Sequence, residues 1–156
     1  MTTDREVHPC DRFDWEGIVL SCRWSGLIGG TGRPGTTRKQ TRGGIAGPTF
    51  KAVALVYATH ANPDGSRVFP SDARVAVLSE VGMATVKAIR QKLIELGLLT
   101  PDGREGRAPR YRLTMPSDLF EHVEFWSPAQ ITETAKAMRD RRRGPRGSSS
   151  TDVDNE

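Results

Sequence analysis

Between residues 48 and 96 apolar side chains return every three or four positions, in three separate runs. In "TFKAVALVYATHA" (49–61), Phe50, Val53, Ala54, Tyr57 and Ala61 share one face, which predicts a helix. Asn62, Pro63, Asp64 and Gly65 follow and supply turn chemistry. Ser71 is a natural N-cap for a second helix that turns Val75, Ala76 and Leu78 inward. Beyond a short turn through Val81 and Gly82, Val86, Ile89, Leu93 and Leu96 step by three or four and predict a third helix over 83–96. Its other side, Ala84, Lys87, Ala88, Gln91 and Glu95, is small or polar, and Gly97 suits the left-handed residue that closes a helix.

After Gly97 the period drops towards two. Residues 98–100 read as a short strand, 101–109 as a loop with two glycines and two prolines, and "RYRLT" (110–114) as a second strand. Alternation places Tyr111 and Leu113 inward, Arg110 and Arg112 outward. Upstream, Trp15, Ile18, Val19 and Cys22 predict a short amphipathic helix over 13–24. The first dozen residues are polar, with disorder expected, and 25–48 form a glycine-rich flexible arm. Downstream, Leu119, Phe120 and Val123 predict a short helix. Ser127, Pro128 and Gln130 then make a capping box with proline at the first helical position. The helix so started has a thin apolar side, Ile131, Ala135 and Met138, which suggests pairing with a second copy.

The expected organisation is therefore a short helix and flexible arm over 1–47, a domain over 48–116, a helical extension over 117–143 and a disordered tail over 144–156. The class is α+β, mainly helical: a three-helix core plus a β-hairpin.

Charge sharpens this. Lys and Arg number 23 against 19 Asp and Glu, a net +4 that is compatible with a polyanionic partner. Its distribution says more. Residues 1–22 carry five acids and two bases, whereas 23–47 carry Arg23, Arg33, Arg38, Lys39 and Arg42 with no acid. No apolar run approaches the ~20 residues of a membrane span, and no signal-peptide pattern opens the chain, so a cytoplasmic location is expected. Cys10 and Cys22 are then free thiols, and with His8 they lack metal-ligand spacing. His8, His60 and His122 are scattered, with no nucleophile or carboxylate at a catalytic spacing. "GLIGGTG" lacks the Gly-Lys-Ser/Thr ending of a phosphate loop. The expectation is a non-enzyme with no metal, cofactor or small-molecule ligand. Trp15, Trp24 and Trp126 read as packing residues.

Helix, short helix, tight turn, helix, Gly-Leu-Leu and basic hairpin are the order of a winged helix-turn-helix, whose third helix enters the DNA major groove. "VFPSDARVAVLSEVGMATVKAIRQKLIELGLL" also resembles the winged helix-turn-helix domains of actinobacteria and their phages, through Phe69-Pro70-Ser71, Ala76, Thr85-Val86 and Gly97-Leu98-Leu99. The resemblance covers about 48–116. It implies double-stranded DNA as partner and a role in phage or mobile-element transcription regulation or replication. The chain departs from the family at its turn glycine (Glu80), its N-cap serine (Gly82) and its basic residue after Thr-Val-Lys (Ala88).

The candidate reading residues are Met83, Ala84, Thr85, Lys87, Ala88 and Gln91. The candidate wing contacts are Arg104, Arg107, Arg110 and Arg112. Arm contacts are Arg33, Arg38, Lys39 and Arg42, where "GRPGTTRK" is similar to an AT-hook that has lost its first arginine to Thr31. Two alternatives stay open: a winged helix used for protein docking without DNA readout, and RNA binding through the basic segments.

Overall fold

The computed structural model describes residues 6–26 and 44–154. The chain divides between Phe125 and Trp126 into two units.

The first unit is a mixed α+β assembly built on α2 (Gly47–Thr59). Phe50, Val53, Ala54 and Tyr57 on one side of α2 are fully buried and Ala61 beyond its end is buried too, as the spacing predicts, and Ala58 joins them. Against it pack α1 (Arg12–Ser21), α3 (Asp72–Ser79) and α4 (Met83–Glu95). Ser71 caps α3, its Oγ accepting from the Arg74 N–H at 3.1 Å. Glu80 ends α3 in the left-handed region (φ 60°), a conformation that costs a non-glycine residue about 1 kcal/mol. Val86, Ile89 and Leu93 are fully buried on α4. Gly97, at φ 82°, donates its N–H to Ile94, and Leu98 donates to Leu93, closing α4 with a Schellman motif.

Strands β3 (Leu99–Glu105) and β4 (Ala108–Pro116) form the hairpin, antiparallel with Leu99 opposite Leu113 and Glu105 opposite Ala108. The loop expected over 101–109 is instead mostly strand. Only Gly106 and Arg107 lie between the strands, with Gly106 at φ 62°, and a register irregularity between Pro101 and Arg104 absorbs the remaining turn residues. The prolines are tolerated because β3 is an edge strand, and β4 has no second regular strand beside Pro109.

The other edge of β4 is filled from far away in the chain. Val68 exchanges both backbone hydrogen bonds with Tyr111, and Gly65 accepts from the Leu113 N–H at 2.8 Å. Cys10 donates to the Leu113 carbonyl, and β1 (Val7–Pro9) pairs with 114–116. Disorder was expected for this opening segment, but β1 completes a three-stranded sheet in the order β1-β4-β3. Its polar composition hides a strand whose partner lies over a hundred residues on. Gly65 itself sits at φ 88°, where an added Cβ would stand 2.1 Å from the Cys10 carbonyl oxygen.

The N-terminal helix belongs to this core rather than to a separate arm. Asp11 caps it, and Trp15 and Val19 are fully buried. The Trp15 indole N–H points at two backbone carbonyls, Leu98 just before β3 at 3.0 Å and Thr114 of β4 at 3.1 Å. The helix stops at Ser21 instead of running to 24, because Cys22–Arg23 form β2 and pair with β5 (Glu124–Phe125). Trp24 then folds back, its indole N–H on the Val19 carbonyl and its ring 4.6 Å from Phe50. Between β4 and β5 lies the short α5 (Leu119–His122), which buries Leu119 while Phe120 stays exposed against Phe125. A second departure is on α3, where Leu78 was expected inside but is 52% exposed.

The second unit is α6 (Pro128–Asp154). Its capping box forms reciprocally: Gln130 N–H donates to Ser127 Oγ at 3.2 Å, and Ser127 N–H donates to Gln130 Oε1 at 2.8 Å. The helix continues beyond 143, where a tail was expected.

Candidate nucleic-acid interface

Helical geometry decides what α4 offers to solvent. Positions 84, 87, 88, 91 and 95 lie on the side opposite Val86, Ile89 and Leu93, so burying one stripe exposes the other. Met83, Ala84, Lys87, Ala88 and Gln91 are all exposed, and Thr85 is half-buried. The helix starts at Gly82, which has no side chain to cap it. Its neighbour Arg90 faces inward instead. The Arg90 guanidinium binds the Asp72 carboxylate at the start of α3, tying the two helices together. Burial works to lower the Arg90 pKa, but the Asp72 carboxylate more than offsets this and holds it above the ordinary arginine value. The Tyr57 hydroxyl beneath is pushed up to about 12 by burial.

The hairpin treats its four candidate arginines unequally. Arg104 and Arg107 are exposed at the turn, and among the described residues Arg104 reaches only the Arg107 carbonyl, at 3.4 Å. Arg110 is bound within the hairpin: its Nε donates to the Asp102 carbonyl at 2.8 Å and its Nη1 to Glu105 at 3.2 Å. Glu105 is shared with Arg67, at 3.1 Å. Arg112 points back to the turn after α2, donating to the Asp64 carbonyl at 3.1 Å. Alternation correctly separated Arg110 and Arg112 from the core, yet outward along a strand is not the same as free. The arm residues Arg33, Arg38, Lys39 and Arg42 lie outside the described residues.

Which cations are uncompensated follows from these pairings. Among the described residues of the first unit, Arg12, Arg67, Arg90, Lys92 and Arg110 each meet a carboxylate. Lys87, Arg104 and Arg107 meet none, nor do Lys51 and Arg112, which are tied instead to the Leu20 and Asp64 backbone carbonyls. Neither does Arg74 on α3, which sequence reasoning missed: its Nε donates to the neutral acceptor His60 Nε2 at 2.8 Å. The available signal was a basic residue in the first turn of a capped helix, which is an ordinary surface position unless its neighbours are known. Glu80 is exposed at the α3–α4 turn and opposes anion approach there.

Among the described residues no three His, Cys, Asp or Glu side chains are grouped to hold a metal ion. Burial pushes the Cys10 and Cys22 thiols up to about 11, helped at Cys10 by Asp11 and Asp14, so at neutral pH neither is a thiolate. No helix among the described residues is long and apolar enough to cross a membrane. A scan against protein-family models and searches of curated proteins and solved structures each found no match to this chain.

Proposed function

We propose that α2, α3 and α4 with the β3–β4 hairpin form a winged helix-turn-helix, and that this unit binds double-stranded DNA. The observation that carries the reading is the exposed face of α4. Ala84, Lys87, Ala88 and Gln91 are bare of ion pairs on a helix held rigidly from behind by three fully buried side chains. A rigid helix with a small, polar, uncommitted face is what a groove about 12 Å wide accepts. Lys87 and Gln91 are hydrogen-bond donors to base edges or phosphates, and the two alanines permit close approach. Arg104 and Arg107 at the hairpin turn supply backbone contacts, with further cations from Arg33, Arg38, Lys39 and Arg42 in the arm. The role that fits best is a small regulator or replication accessory of phage or mobile-element type.

Selection of binding sites from randomised duplex DNA with the purified full chain tests this. One enriched motif establishes a sequence reader. A two-fold repeat within it indicates a dimer, for which Ile131, Ala135 and Met138 of α6 are the apolar surface on offer. Retention without enrichment means phosphate contacts alone, and no retention sinks the reading.

A second reading, a protein-docking module, is favoured by one observation. Val77, Leu78 and Met83 around the α3–α4 turn are 74%, 52% and 44% exposed, next to Glu80. Replacing Lys87 and Arg107 together by Ala separates the two. A DNA binder loses affinity and salt dependence, whereas a docking module keeps its partner.

A further inference from the structure

Arg74 is held in an unusual way for a surface arginine. Its Nε–H donates to His60 Nε2 at 2.8 Å, while His60 Nδ1 lies 2.8 Å from the Val56 carbonyl. A carbonyl only accepts, so Nδ1 carries the proton and Nε2 is the bare acceptor. The imidazole is therefore neutral in this arrangement. It orients the guanidinium without cancelling its charge, which is what Asp72 does to Arg90 and Glu105 does to Arg110. Both Nη atoms of Arg74 stay without a partner among the described residues.

The oriented charge borders a shallow cleft of about 280 Å³, lined by His60, Phe69, Pro70, Ser71 and Arg74. Phe69 and Pro70 are half-buried and make its wall apolar, with the Arg67 guanidinium 5.6 Å from the Phe69 ring centre. The nearest carboxylate on this part of α3, Asp72, is already engaged by Arg90 of α4. That same ion pair ties the first residue of α3, next to Ser71 of the cleft, to the helix proposed to enter the groove. Any helix in a major groove has a sugar–phosphate backbone running along each flank.

We propose that this cleft seats one backbone phosphodiester of the bound duplex. Arg74 Nη groups donate to its non-bridging oxygens, and Phe69 and Pro70 pack against the adjoining deoxyribose. His60 is a positioning residue that acts through Arg74. The proposal rests on the DNA-binding reading above and adds a contact that neither the reading helix nor the wing provides.

The test is the salt dependence of binding to a fluorescently labelled duplex, for the full chain and the variants Arg74→Gln, His60→Leu, His60→Gln and Lys87→Ala. Each lost phosphate contact removes about 0.9 from the slope of log affinity against log salt. The ratio of wild-type to Arg74→Gln affinity then shrinks about 3.5-fold between roughly 50 and 200 mM salt. His60→Leu moves the slope in the same direction, adds nothing on top of Arg74→Gln, and is rescued by His60→Gln, which retains both an acceptor and a donor. Arg74 is exposed, so Arg74→Gln remains folded, and a thermal melt of each variant checks this. If wild type binds, Lys87→Ala weakens it and Arg74→Gln keeps the full slope, the seat is overturned while DNA binding stands. An unchanged slope in His60→Leu overturns the positioning role. Failure of the wild type to bind any duplex removes the DNA reading, and the seat with it.

Discussion

The α4 face and the β3–β4 hairpin are two surfaces with opposite histories of charge. On α4 one cation, Lys87, stands exposed and unpaired, while Arg90 is turned inward onto Asp72 and Lys92 pairs with Glu95. On the hairpin four arginines stand in a row in sequence, but two are consumed. Arg110 braces the strands through Asp102 and Glu105, and Arg112 fastens the hairpin to the turn after α2. Counting basic residues therefore overstates the hairpin and understates α3, where Arg74 keeps its charge. What a polyanion meets is the cation whose donors are still free, and which donors are engaged is settled by partners the local pattern does not show.

Five substitutions, in four comparisons, break or sharpen that contrast, from the largest effect to the smallest. Gly65→Ala attacks the turn that anchors β4 of the hairpin to the rest of the first unit. A Cβ at φ 88° and 2.1 Å from the Cys10 carbonyl forces the strand edge apart, costing about 3 kcal/mol or more. Chemical denaturation should show a lower midpoint, and an unchanged midpoint would mean this edge is loose. Arg90→Ala is next, at about 2 kcal/mol, since it leaves the half-buried Asp72 carboxylate without its partner. The same denaturation series measures it.

The third comparison sets Arg112→Ala against Arg107→Ala. Arg112→Ala should lower stability by about 1 kcal/mol and leave the salt slope of DNA binding intact. Arg107→Ala should leave stability within about 0.5 kcal/mol and reduce the slope by about 0.9. If both variants lose slope equally, the division of the hairpin into structural and free arginines is wrong. The smallest effect is a gain. An added Cβ at Gly82 meets no atom within 4 Å, and its backbone at φ −64° and ψ 154° is that of an N-cap. Gly82→Ser should stabilise by about 0.5 kcal/mol, visible as a small rise in melting temperature. A lower melting temperature would show that the start of α4 is constrained by something other than capping.

Local rules carried far in this chain. The inward faces of α2 and α4, the Ser71 cap, the Gly97 close, the Ser127–Gln130 capping box and the exposed face of α4 all follow from periods and end signals within a few residues. They were legible because each depends on the chain's own helical geometry. The hairpin was legible as a hairpin but not in its length. Pro101, Gly103 and Pro109 look like loop residues until the edge position and register irregularity that accommodate them are known. Leu78 was misplaced because a helix of only eight residues has too few turns for spacing alone to fix which flank is covered.

Sequence alone thus determined the order of α2, α3, α4 and the hairpin, most of the apolar stripes that build the core, and which side of α4 would be left bare. Tertiary structure decided the rest: that β1 closes the sheet, that Trp15 reaches the Leu98 and Thr114 carbonyls, and that the chain divides after Phe125. It also decided which cations stay free. The physical reason is one of range. Periodicity and capping act over three or four residues, whereas strand pairing and charge compensation join groups tens of residues apart, and no local pattern records the partner.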